Sequence, residues 1–143
     1  EKISVYQQQI ANTTKQPELS NLQQQLAHVY WELSYLGLAQ GALKTYVLEK
    51  AEALSLQSIE YAQKPANYVF LGRVYLALGH YEHALDFLVQ ATELGMARRH
   101  ILPYKAEVAF CMNKYDDCKR YLSELPEQPK GSELRQLQEY WNA

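Results

Sequence analysis

The chain has 143 residues, 48% of them hydrophobic and 21% charged, with a net charge of −2. That length suits one domain with a sizeable core, and the composition is ordinary for a globular fold, which excludes a chain made mostly of disordered segments. Its 14 basic and 16 acidic side chains are mixed along the sequence, so no nucleic acid is expected as a partner, since phosphate binding needs a basic patch or stripe.

The nearest thing to such a patch is Arg98, Arg99, Lys105, Lys114, Lys119 and Arg120, interrupted by Glu107, Asp116 and Asp117. It reads as a solvated face. No apolar run approaches the roughly 18 residues of a membrane span, and no signal peptide is present, so no membrane insertion is expected within this chain. The first residue is Glu1, which leaves open a targeting segment or anchor upstream. A cytoplasmic location is expected, with a periplasmic or membrane-anchored fragment as the alternative. Tyrosine is the compositional outlier, at 12 residues against 3 Phe and 2 Trp. A tyrosine packs its ring while its hydroxyl stays wet, which suits helices with one face in a core and an edge at a groove.

In chain order, Ile3, Tyr6 and Ile10 make an apolar helical stripe before a break at 12–16. Asn12-Thr13-Thr14 fits the N-glycosylation pattern, a single match near chance. Pro17 and Pro65 stand where helices begin, positions at which a missing N–H costs nothing. Leu26-Ala27-x2-Tyr30 opens one unit, whose second helix is expected at roughly 42 to 63. Gly37, Gly41, Gly79 and Gly95 are read as stops between helices. The middle of the chain reads Tyr68-x2-Leu71-Gly72-x2-Tyr75, then Leu78-Gly79-His80-Tyr81, Ala84-x3-Leu88, Ala91 and Leu94. One constant shift finds a second copy: Gly72 maps to Ala106, Leu76 to Phe110, Gly79 to Asn113, Tyr81 to Tyr115, Ala84 to Cys118 and Leu88 to Leu122. Small residues stay small, and Asn113 replaces Gly79 at a turn, where both tolerate positive φ. Asp116 and Asp117 suit the positive end of a helix. Pro126 and Pro129 bracket a linker. After it Ser132 can cap a last helix with Leu134, Leu137, Tyr140 and Trp141 on one stripe.

This middle segment resembles the tetratricopeptide (TPR) family, whose pattern runs Trp-x2-Leu-Gly-x2-Tyr, Ala-x3-Phe, Pro, and whose period the shift from Gly72 to Ala106 matches. Tyr68 stands for the Trp and Leu88 for the Phe, with Met96 near the Pro. The resemblance implies an all-α fold of antiparallel helix hairpins wound into a right-handed superhelix, with about three repeats and capping helices. The units are 1–16 as an N-terminal cap, 17–64 as a long first hairpin, 65–98 and 99–128 as repeats, and 129–143 as a C-terminal cap. The interval from Tyr30 to Tyr75 exceeds one such period, so the first unit must carry longer helices than the others. About eight helices are expected.

In TPR proteins the first helix of each pair lines a concave groove. Carried over by register, that face holds Gln24, His28 and Trp31, then Val69, Arg73 and Leu76, then Pro103, Glu107 and Phe110. Trp31 and Phe110 read equally well as packing against neighbouring helices. The family's clamp for a C-terminal carboxylate is missing, because Gln24 and His28, Val69 and Arg73, and His100 and Tyr104 occupy its places.

Catalytic motifs are absent: there is no Gly-rich phosphate loop, nucleophile elbow, H-E-x-x-H or paired C-x-x-C. His80 and His83 lie three apart, short of the three or four ligands zinc needs. Cys118 reads as a packing thiol, with a disulfide to Cys111 as the alternative. No cofactor is implied and no enzyme is expected. The expected role is a protein-binding scaffold or assembly factor that holds a peptide segment of a partner. The alternatives are a chaperone for a secreted substrate, or the sensor or oligomerisation segment of a larger regulator, with homo-oligomerisation through a terminal helix left open.

Overall fold

The computed structural model describes residues 2–13 and 16–125. These form seven helices and no strand: α1 (Lys2–Asn12), α2 (Gln16–Tyr35), α3 (Gly41–Tyr61), α4 (Pro65–Leu78), α5 (Tyr81–Glu93), α6 (Arg98–Cys111) and α7 (Tyr115–Ser123). The protein is all-α. Helices that follow one another in sequence pack together: α2 on α3, α4 on α5 and α6 on α7, with α1 on α2, α3 on α4 and α5 on α6. The helix expected from Ser132, and the cap at 129–143, lie outside the described residues.

Local chemistry sets the boundaries. Pro65 opens α4 directly after the extended Lys64, since proline supplies a helical φ and forces the residue before it out of the helical region. At the other end, Gly79 adopts φ +82° and ends the helix, with His80 N–H donating to the Tyr75 carbonyl at 2.9 Å. The same turn recurs in the next hairpin. Asn113 has φ +62°, and Lys114 N–H donates to the Ala109 carbonyl at 2.8 Å. The helices that follow start alike, with Ala84 N–H on the His80 carbonyl and Cys118 N–H on the Lys114 carbonyl, both at 3.0 Å. Gly41 departs from its expected role as a stop. It is the first residue of α3, at φ +57° after the extended Gln40. As expected, the two helices of the first unit are long, 20 and 21 residues against 14 and 13 in α4 and α5.

Three apolar cores follow one another along the chain. The first joins Leu26, Ala27, Tyr30, Val47 and Ala51 to Phe70 and Val74, and the α1 stripe of Ile3, Tyr6 and Ile10 packs against it. The second gathers Tyr68, Leu71, Tyr75, Ala84, Leu88 and Ala91 with Ile101 and Val108. The third holds Ala106, Ala109, Cys118 and Leu122. Thus α4 turns Phe70 and Val74 toward the hairpin before it, and Tyr68, Leu71 and Tyr75 into the core it shares with α5 and α6. Cys118 is fully buried while Cys111 is exposed, consistent with a packing thiol in the small-residue slot.

The first hairpin closes on polar contacts instead of glycine. Ser20 Oγ donates to the Ser58 carbonyl at 2.9 Å, and Ser58 Oγ returns to the Ser20 carbonyl at 2.8 Å. Both serines are almost wholly buried. Small side chains let α2 and α3 approach, and the reciprocal bonds satisfy hydroxyls that would otherwise cost about 1–3 kcal/mol each.

Candidate functional site

The first helices of the three hairpins, α2, α4 and α6, contribute one row of interlocked side chains. Arg73 of α4 stands between two rings: its Cζ lies 4.4 Å from the centre of Trp31 of α2 and 5.1 Å from that of Tyr104 of α6. Cation–π contacts of this kind contribute about 0.5–2 kcal/mol, more as water is excluded. Trp31 is stacked in turn on Tyr35, with centroids 4.6 Å apart, and meets the edge of Phe70 at 6.2 Å. His28 lies against Phe70 at 4.1 Å. Phe70 and Tyr104 occupy the same place in successive repeats, just as Gly72 and Ala106 do. Each reaches back to the preceding hairpin, Phe70 to His28 and Trp31, Tyr104 to Arg73.

The nine groove residues read from the sequence divide. Trp31 and Arg73 meet directly, and His28 joins them through Phe70. Trp31, Val69, Arg73, Leu76, Pro103, Glu107 and Phe110 are all half-buried, with Val69 and Leu76 also touching the second core. Phe110 leans on the third core and on Tyr115, 5.5 Å away edge-on. Gln24 does not lie on an open face. It is 7% exposed, and its Oε1 accepts a 2.8 Å bond from Ser55 Oγ between α2 and α3. Two residues of the row, Phe70 and Tyr104, are additions to the sequence reading. The signal for them was their shared place in the repeat, two positions before the small residue of each copy.

The surroundings of His28 shift its proton equilibrium. The residue keeps an exposed edge, yet the neighbours packed around its ring lower the imidazole pKa below the ordinary 6.5; the Glu32 carboxylate opposes this and the Arg73 charge adds to it. A folded chain that resists protonation keeps its full stability above pH 6.5 and loses some as pH falls through the lower, folded midpoint. An NMR titration of the ring is expected to place the His28 midpoint below 6.5. A midpoint at or above that value would show that burial is not the dominant influence.

Other chemistry-bearing groups lie elsewhere. His80 and His83 are exposed and flank the Tyr75 ring at 6.1 and 5.3 Å. Among the described residues, no group of three or more His, Cys, Asp or Glu side chains converges as a metal site would require. The basic residues near the third hairpin are partly neutralised. Arg98 pairs with Glu124 at 2.9 Å, and Arg120 with Asp117 at 3.3 Å. A cleft of about 310 Å³ between α3 and α4 is lined by Lys44, Glu49, Glu52 and His80 among others, and includes no residue of the row. A run of exposed apolar side chains, Tyr35, Leu36, Leu38, Leu43 and Tyr46, covers the connection from α2 to α3. No helix among the described residues is long and apolar enough to cross a membrane. No protein-family model matches the chain, and neither does any curated protein or solved structure.

Proposed function

We propose that this chain is a non-catalytic binding module of the tetratricopeptide type, a scaffold or assembly factor that holds a peptide segment of a protein partner along α2, α4 and α6. The repeat assignment is supported by two hairpins that share turn hydrogen bonds, positive-φ residues and buried small residues at one common offset. One observation carries the binding assignment: the Trp31–Arg73–Tyr104 row crosses the first helix of each hairpin, the helices that line the groove in this family. Aromatic rings and arginine are the side chains that most often anchor protein contacts. Half-buried, they combine a rigid shape with a surface still open to a ligand.

The test compares three baits in affinity purification with mass spectrometry: the parent, Arg73→Glu, and Glu93→Lys, which changes an exposed residue of α5. Partners are expected to be retained by Glu93→Lys and depleted at least about tenfold by Arg73→Glu, equivalent to about 1.4 kcal/mol. If Glu93→Lys alone removes them, the binding face is not the one formed by α2, α4 and α6.

A further inference from the structure

Arg73 is the one member of the row whose chemistry is left incomplete by its neighbours. Its guanidinium carries five N–H donors in one plane, and the two rings beside it, centred 4.4 and 5.1 Å from its Cζ, offer no charged acceptor. Among the described residues, Arg73 belongs to neither the Arg98–Glu124 nor the Arg120–Asp117 ion pair, and it takes part in no side-chain hydrogen bond like those of Arg98. A half-buried guanidinium, held beside two rings and joined to no carboxylate among the described residues, presents a donor edge. The acceptor matching such an edge is a carboxylate, which takes two parallel N–H bonds.

We propose that Arg73, held between Trp31 and Tyr104, binds the side chain of an internal Asp or Glu in the partner peptide, flanked on both sides by apolar residues. This rests on the peptide-groove reading above and names the chemistry that the groove selects. An internal acid fits better than a carboxyl terminus because Arg73 belongs to the middle helix of the row, so a bound chain runs past it in both directions. The flanks are apolar because Val69 and Leu76 adjoin Arg73 on α4, with Trp31 and Phe110 on the helices to either side. The two rings also confine the Arg73 side chain before the ligand arrives, so less side-chain freedom is lost on binding.

The probe is a displayed library of short random peptides, panned against the whole chain, against Arg73→Gln and against Trp31→Ala. The parent is expected to select peptides with an Asp or Glu at a fixed spacing between apolar positions. Changing that acid to its amide in a selected peptide is expected to weaken binding at least tenfold, whereas amidating the peptide's carboxyl terminus leaves it unchanged. Arg73→Gln is expected to bind the acid and amide versions alike. Because the acid-to-amide swap is made on the peptide, it tests the parent protein even if Arg73→Gln folds poorly. Peptides that need Trp31 but show no preference for an acid overturn the carboxylate assignment and leave the groove reading standing. A loss on terminal amidation overturns the internal position. Selection of no peptide that depends on Trp31 overturns both.

Discussion

Replacing Gly72 with leucine is expected to lower the melting temperature by roughly 5–10 °C, the shift that about 2–3 kcal/mol produces in a chain of this size. A bare Cβ at Gly72 would already meet Leu88 Cγ and Cδ2 at 3.0 Å and the Ala84 carbonyl oxygen at 3.3 Å. The carbonyl is backbone and cannot retreat. Leu88 is wholly buried, with Tyr75 and Ile101 in the same core, so it has little room to turn. Overpacking a site of this kind costs about 1–3 kcal/mol or more. Helix propensity works the other way, since leaving glycine for leucine in a helix interior gains up to about 1 kcal/mol. The steric term is the larger because the added side chain has three atoms beyond a Cβ that does not itself fit. Ala77→Leu, on the exposed side of the same helix, adds leucine where there is room for it and with little change in helix propensity, and is expected to leave the melting temperature close to the parent's. Should Gly72→Leu melt like the parent, α4 and α5 do not meet at the register described.

That contact was legible in the sequence because it is a constraint on residue type. Only a small side chain serves where helices nearly touch, and only glycine or asparagine sits easily at positive φ, so Gly72, Ala84, Gly79 and Asn113 announced their places. Pro65 did the same for the start of α4. The closing of the first hairpin was hidden. Ser20, Gln24, Ser55 and Ser58 read as polar surface in any amphipathic pattern, and only their mutual hydrogen bonds make burial tolerable. Hence register alone puts Gln24 on the groove face, whereas the seam between α2 and α3 takes it inside. A register argument fixes the direction of a side chain on its own helix; it does not say how deeply the partner helix covers it.

The row around Arg73 shows the same limit from the other side. Trp31 lies well before Arg73 in the sequence and Tyr104 well after it, neither at a whole repeat period, so their meeting depends on how successive hairpins stack. Within one hairpin, spacing and residue type are enough. Between hairpins, the contact is set by the offset of one pair of helices on the next, and the long first unit breaks the simple periodicity there. Phe70 and Tyr104 supply the missing rule: the ring two positions before the small residue packs backward on the preceding hairpin. This gives the third hairpin a concrete partner on the second, and gives Arg73 its second ring.

Phe70 is the aromatic ring that α4 buries in the core of the preceding hairpin, and Phe70→Ala is expected to cost about 3–5 kcal/mol, as deletion of a buried aromatic ring does. The ring is 3% exposed, belongs to the core formed largely by α2 and α3, and is carried by α4. Its loss removes the contacts with His28 and Trp31 at one stroke, while the serine seam of the first hairpin and the Gly72–Leu88 contact of the second are untouched. In a stack of units that touch only their neighbours, weakening one interface separates the stabilities of the parts it joined. Hydrogen exchange is therefore expected to show α1–α3 losing protection well before α4 and α5, and denaturant unfolding to broaden or split where the parent unfolds in one step. A second signature distinguishes loss of this contact from general destabilisation. With the Phe70 ring gone, His28 is expected to titrate closer to the ordinary 6.5, because the packing that opposes its protonation has been removed. An unchanged His28 midpoint together with a single sharp transition near the parent's would mean that the hairpins are joined through other side chains, and that Phe70 is not the link between them.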